Sequence, residues 1–373
     1  MSDLPLLLAA SLACDLLLAW LFLRRGPLTL PRLLRAGAWG LVGALAQGAL
    51  VQNVLERPFL AIHFVHTWLF VAAPLACAAA LLAARGGGGS GPGRVTAASA
   101  VLLLPALLAW TSLVEPYQLR LEQADVPLPP ARAPQPPLRI GVLADLQCTE
   151  VGDHEHEAVD TLMAQRPDLI LLPGDVQQVF SPEEFAALEP PLRALLAELD
   201  APLGVFMVLG NCDTREGAQR LLAGTRVQLL IDETVHLQRA GRGLALCGLT
   251  LGIGGPAAHA ALDELEAAPE GELRLVLAHY PDAALQLQPG TRVDLVIAGH
   301  THGGQVRLPW FGPLITLSHV PREVAGGGLH ALNGTQVYVS RGVGVERGNA
   351  PRIRFNCPPE VSLLTLGATL STP

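Results

Sequence analysis

The chain has 373 residues, a formal net charge of −8 and 50 % hydrophobic residues. Its length allows two or more structural units, and its acidic balance excludes the basic face that a nucleic-acid partner needs, so no nucleic acid is expected. A positive mean hydropathy with few charged residues argues against a wholly water-soluble composition and points to membrane segments in part of the chain.

Those segments come first. Residues 4–23, 36–55, 59–84 and 95–114 are each long and apolar enough to cross a hydrocarbon core of roughly 30 Å. They predict an all-α four-helix transmembrane region over residues 1–118. A cleaved signal peptide is the rival for the first stretch, but Asp3 precedes it without a basic start and three more spans follow. Arg24, Arg25, Arg32 and Arg35 fall between spans one and two, and Arg85 and Arg94 between three and four, whereas the loop between two and three has only Arg57. Positive loops stay cytoplasmic, so both termini are expected outside. The reading is a multi-pass protein of the cell membrane with its catalytic part extracytoplasmic. Asp15 lies mid-span and needs a partner or water; His63 and His66 are candidates, with plain polar packing between helices the simpler reading. The glycine-rich stretch 85–94 is a flexible connector and no phosphate loop, since no strand precedes it and no Lys-Ser/Thr follows.

Residues 119–137, rich in proline from Val126 to Pro137, read as a semi-rigid polyproline linker that holds the following domain off the bilayer. From Leu138 strand and helix patterns alternate, with strands expected at 138–144, 168–172 and 203–209 and helices at 154–165 and 182–199. Shorter strands follow at 235–238, 244–249, 273–278, 293–298, 336–340, 353–356 and 361–366. Parallel units followed by many strands suggest two packed sheets with helices outside, in one domain over residues 138–368. The six cysteines show neither zinc-ribbon spacing nor a disulfide frame, so buried thiols are the default.

Five strand ends carry chemistry. Asp145 ends the first strand, Asp175 the second, Asn211 and Asp213 the third, and His279 that of 273–278. His300 and His302 end 293–298, in the segment Ala298-Gly-His-Thr-His-Gly-Gly-Gln305. Gly299, Gly303 and Gly304 let that turn bend sharply, so both imidazoles can enter one crevice. Carboxylates, an amide oxygen and imidazoles together suit Mn, Fe or Zn rather than calcium alone.

The order of these segments resembles the calcineurin-like metallophosphoesterase superfamily, in its branch with membrane spans or export signals ahead of the catalytic domain. The resemblance runs from about Leu138 to Leu366 and includes Val339-Ser-Arg-Gly-Val-Gly344 and Cys357-Pro-Pro-Glu360. It implies a four-layer α/β/β/α sandwich with two divalent or trivalent metal ions. Carried over by position, Asp175 bridges the ions. Asp145, His302 and position 147 complete the first, while Asn211, His279 and His300 hold the second. Catalytic roles then fall to Asp175, Asn211, Asp213 and His300, with water bridging the ions as nucleophile. Arg341 is a candidate for the phosphate charge, with an ordinary surface arginine as the alternative. Two positions depart from the pattern. Gln147 stands where the family has histidine and offers only an amide oxygen; His154 or His156 are candidate substitutes, unless they only cap or solvate their helix. Cys212 replaces the histidine that serves the leaving group in many members, which favours a diester or pyrophosphate over an alkyl monoester. The expected function is hydrolysis of a phosphodiester, pyrophosphate or lipid-linked phosphoester. The other reading is a membrane sensor or scaffold that binds phosphate or a lipid headgroup without turnover.

Overall fold

Long apolar runs with few charges fill the first third, and in a hydrocarbon environment helix is the local structure that satisfies every backbone polar group. In the computed structural model, which describes residues 4–23, 28–55, 60–84, 91–239, 242–288, 290–346 and 350–368, that is what they form. The chain divides into one unit of Met1–Val114 with Glu346–Arg352 and a second of Glu115–Val345 with Ile353–Pro373.

In the first unit, α1 spans Leu4–Leu23 and α2 Leu30–Leu55; α3 (Leu60–Thr67) runs through the π-helical turn Trp68–Ala72 into α4 (Ala73–Ala83). α5 (Pro92–Ala109) continues through a second π-helical turn, Trp110–Val114. Each wide turn lies just ahead of a proline, Pro74 and Pro116, whose missing N–H and ring bulk prevent an ordinary bond to the turn before it. Leu4–Leu23, Leu30–Leu55, Leu60–Ala83 and Pro92–Tyr117 are four helices long and apolar enough to cross a membrane. α2 buries Ala36, Gly40, Ala44 and Gly48, one turn apart, a small-residue stripe that lets α3 approach closely. The partner of Asp15 is Gln47, whose amide donates to Oδ1 at 3.1 Å. His63 and His66 do not fill that role, and the His66 ring packs 5.0 Å from that of Phe70. Arg24, Arg25, Arg57, Arg85 and the glycines 86–89 lie outside the described residues.

The second unit begins earlier than the proline-rich stretch suggests. β1 (Arg120–Leu128) is followed by β2 (Leu138–Val142), α6 (Asp153–Ala164), β3 (Leu169–Leu172), α7 (Pro182–Leu196), β4 (Val205–Met207), α8 (Arg215–Leu222) and β5 (Val227–Leu229). Next come β6 (Glu233–Arg239), β7 (Arg242–Leu249), α9 (Pro256–Ala267), β8 (Leu273–Ala278), α10 (Ala283–Gln286) and β9 (Leu295–Ala298). A small hairpin of β10 (Arg307–Leu308) and β11 (Gly312–Pro313) precedes α11 (Arg322–Ala325), β12 (Gly328–Leu332), β13 (Thr335–Val339) and β14 (Glu360–Ala368). One sheet has the order β1-β14-β2-β3-β4-β5 and the other β12-β13-β9-β8-β7-β6.

Alternate side chains of single strands enter different layers, which fixes a four-layer α/β/β/α sandwich. Ile170 and Leu172 of β3 meet Leu162 of α6 and Leu192 of α7, while Leu169 and Leu171 face Leu275 and Ile297 of the opposite sheet. Beyond that sheet, Val276 and Val296 pack on Leu265 of α9 and Val324 of α11. Strands covered on both faces read as unbroken apolar runs. Two expectations need correction. Residues 120–128 are no free spacer: β1 pairs in parallel with all of β14 and buries Val126 and Leu128. Residues 353–356 form no ladder strand; Phe355 makes only an isolated bridge to Val306, and the Arg354 side chain is buried.

A candidate metal centre at the strand ends

β2, β3 and β4 run parallel in one sheet, and β8 and β9 in the other, so their C-terminal ends share one edge of each sheet. Such an edge is where open α/β sheets gather ligand-binding loops. Asp145, Asp175 and His279 meet there, each buried, with ligand atoms all within 4.8 Å of one another. Gln147 and His302 are buried beside them, while Asn211 is exposed and His300 half-buried at the rim.

The backbone is bent to achieve this. Asp145, Gln147, Asp175, His300 and His302 all take left-handed conformations, with φ of 47°, 49°, 51°, 71° and 48°. Non-glycine residues held so cost about 1–3 kcal/mol each and cluster at functional sites. Close approach does the rest. A Cβ at Gly210 would collide with the Asp175 carboxylate, and one at Gly299 with that of Asp145.

The hydrogen bonds fix the chemistry. His279 Nδ1 donates to the Pro173 carbonyl at 2.8 Å, and burial lowers its pKa to about 4, so the ring is neutral with its lone pair on Nε2. That lone pair points at acceptors: Asn211 Oδ1 at 2.9 Å and Asp175 Oδ2 at 3.5 Å. An imidazole nitrogen, an amide oxygen and a carboxylate converging without a hydrogen between them is a donor set for a cation. Burial and then the charge of Asp175 raise Asp145 well above the usual carboxylate range, while the His300 N–H donates to both its oxygens at 3.0–3.2 Å. Asp213 accepts from the Asp175 and Gly210 N–H groups at 2.7 and 3.0 Å through Oδ2. Its Oδ1 is buried without a partner, and burial followed by the Asp175 charge lifts its pKa to about 7. The residues therefore fit the metal ions that the sequence motif implies.

Other expected residues sit differently. The Gln147 amide turns N–H, not oxygen, toward the cluster: Nε2 donates to Asp175 Oδ2 at 2.9 Å and lies 3.3 Å from His302 Nε2. Burial, ahead of the charge of Arg354, holds His302 well below the ordinary imidazole range, so it too is neutral. His300 Nε2 donates to the Leu317 carbonyl at 3.2 Å, and its ring lies 5.0 Å from that of His279. Neither His154, which bonds the Val343 carbonyl, nor His156, beside Glu198, joins the cluster. Cys212 lies 3.9 Å from Gln147 Oε1 and forms no disulfide with Cys148.

The Arg341 guanidinium is taken up by Glu360 and Glu122; burial opposes its charged form, and these two carboxylates outweigh burial and raise its pKa. Two residues escaped the sequence. Arg354 is wholly buried and donates to the carbonyls of Arg341, Gly342, Gly344 and Cys357, holding the loop whose Gly344 N–H bonds the Asp145 carbonyl. Tyr280 packs edge to face against His300 with ring centres 4.1 Å apart, and its hydroxyl lies 3.4 Å from Asn211 Oδ1. A lone arginine or tyrosine has no spacing that marks it in a sequence. His279 directly before Tyr280 was the available hint.

Comparison with known proteins points to the same family as the sequence motifs. The family model described as calcineurin-like phosphoesterase matches residues 138–304. The chain is 33 % identical over 222 residues to the uncharacterized metallophosphoesterase YkuE of Bacillus subtilis, covering 56 % of this chain and 71 % of that protein. It is 33 % identical over 243 residues to the phosphodiesterase YaeI of Escherichia coli, covering 62 % and 82 %. A third relative is the UDP-2,3-diacylglucosamine pyrophosphatase LpxG of Chlamydia trachomatis, 26 % identical over 338 residues and covering 73 % and 97 %.

Proposed function

The chain belongs to the calcineurin-like phosphoesterases, and from that premise we propose that its second unit is a dinuclear metal-dependent hydrolase of a phosphodiester, a pyrophosphate or a lipid-linked phosphoester. The observation that carries this reading is the convergence of acceptor atoms of Asp145, Asp175 and His279 from two sheets. Asp175 would bridge the two ions, Mn, Fe or Zn; Asp145 and His302 would hold one, and Asn211, His279 and His300 the other. When bound, the ions supply positive charge to the phosphoryl group and make water acidic enough to react near neutral pH.

The protein's own groups do the remaining work. Asp213 turns Oδ2 to two backbone N–H groups and leaves Oδ1 free to carry a proton near neutrality, the service that a histidine at position 212 would otherwise give. Tyr280 and His300 form the wall at the mouth and orient a phosphoryl substituent. Arg341 has no substrate role here and acts as a brace between the strands that carry Glu122 and Glu360. The printed activities of YaeI and LpxG, a phosphodiesterase and a pyrophosphatase with a lipid-bearing nucleotide substrate, are in keeping with a diester or pyrophosphate. The arginine asymmetry of the loops favours a catalytic unit outside the cytoplasm.

The full-length protein, purified without chelators and supplied with Mn, is expected to hydrolyse bis-p-nitrophenyl phosphate and to lose that activity on Asp175→Ala. One observation favours a second reading. The Gln147 amide N–H occupies space where a ligand lone pair belongs, as in a sensor that binds phosphate without turnover. Metal bound in stoichiometric amount with no hydrolysis of diester, pyrophosphate or lipid substrates would select that reading.

A further inference from the structure

The turn that carries His300 and His302 leads straight into the β10–β11 hairpin, and this hairpin is built against the ordinary logic of a soluble surface. Trp310 is fully exposed, and Leu308, Phe311, Leu314, Ile315 and Leu317 are exposed beside it. Single exposed apolar residues need no explanation, but six within ten positions, led by an indole, mark an interaction surface. From Leu295 to Arg322 the chain has no carboxylate at all and two arginines, Arg307 and Arg322, in a protein of net charge −8. Arg322 lies over the Phe311 ring at 4.1 Å. The nearby carboxylate of Asp282 is already taken by Ser318 and His319.

We propose that this hairpin is an interfacial wedge that seats the metal centre on a lipid bilayer. An indole at the tip, aliphatic and aromatic side chains behind it and arginine at its base match the order of acyl chain, interface and phosphate headgroup. The partner is a bilayer because the same chain carries four helices able to cross one, so a lipid surface is always tethered to this domain. Its coupling to the site is direct. The Leu317 carbonyl at the hairpin's end accepts from His300 Nε2 at 3.2 Å, and Leu317 with Tyr280 lines a cleft beside the centre. Seating the wedge therefore brings the mouth of the site to headgroup level and selects phosphoesters presented by a membrane. This selection rests on the phosphoesterase reading; the seating itself does not.

The test uses the full chain with Trp20, Trp39, Trp68 and Trp110 replaced by Phe, which leaves Trp310 as the sole tryptophan. It is reconstituted in vesicles of phosphatidylethanolamine and phosphatidylglycerol with doxyl-labelled lipid in both leaflets. Trp310 emission is expected to shift to shorter wavelength and to be quenched by label near the headgroups. In the otherwise unsubstituted chain, Trp310→Ser with Phe311→Ser should leave hydrolysis of soluble bis-p-nitrophenyl phosphate unchanged and lower hydrolysis of a vesicle-embedded phosphodiester several-fold. An unquenched Trp310 emitting as an indole in water overturns the proposal. So does a shift without quenching that grows with protein per vesicle, which would assign the wedge to a second copy of the chain. If the double variant loses both activities, the quenching result alone decides. Quenching in a protein that hydrolyses no phosphoester would keep the wedge and remove the phosphoesterase.

Discussion

At the scale of single residues, position 147 is where the candidate metal centre departs from the family pattern. Its amide N–H is bonded to Asp175 and adjoins His302; imidazole in its place would offer a lone pair where the amide offers a hydrogen. Gln147→His is therefore expected to tighten metal binding and raise activity, read by titration of the metal-free protein and by turnover at limiting metal. A second outcome concerns protons. Burial and then the Asp175 charge make Asp145 hold its proton to higher pH than an ordinary carboxyl, and Asp213 holds one up to pH about 7, whereas His279 is already neutral above about 4. Metal uptake should thus expel a proton from Asp145 and none from His279, while Asp213, outside the ligand set, keeps its proton up to pH about 7. Calorimetry in buffers of different ionisation heat would count the protons released, and Asp213→Asn should leave that count unchanged. The candidate ligands were legible in the sequence because each is a polar residue abruptly ending an apolar run. Arg354 and Tyr280 were not, because their partners lie on other segments of the chain.

At the scale of elements, the two sheets could be read from unbroken Leu, Ile and Val runs, and β1 could not. Pro127 in the strand and Pro129 and Pro130 just after it imitate a polyproline spacer, yet β1 is an edge strand with only β14 beside it, where a missing N–H is tolerated. Val126 and Leu128 nonetheless enter the layer between the sheets. Each such buried side chain contributes about 1.5–3 kcal/mol. Buried Glu115 accepts from the Cys357 N–H, adding a further tie before the strand. A fragment beginning at Leu138 should consequently melt at markedly lower temperature than one beginning at Glu115, or aggregate through the bared edge of β14. Equal melting temperatures would show that β1 adds nothing. The turn of 353–356 deceived in the opposite sense: Ile353 and Phe355 alternate with arginines like a strand, but the Arg354 guanidinium is drawn inward by four carbonyls and the ladder is lost.

At the scale of the whole molecule, four apolar helices and a hydrolase sandwich share one chain, and the side of the membrane that each loop occupies decides which phosphoesters the centre can meet. The positive charge of the first and third loops predicts an outward C-terminus. Alkaline phosphatase, which is active only outside the cytoplasm, should therefore be active when fused after Pro373, and an inactive fusion would reverse the topology.

The left-handed backbone at five positions of the centre has a further consequence. Asparagine accepts such a conformation more readily than most residues and carries no charge to crowd Asp145 and Asp213. In metal-free protein Asp175→Asn should accordingly raise the melting temperature while ending turnover, and added metal should narrow or invert the difference. Catalytic competence in this chain would then be kept by selection against its own more durable, inert neighbours in sequence space. Loss of the enzyme would be the easier direction of drift.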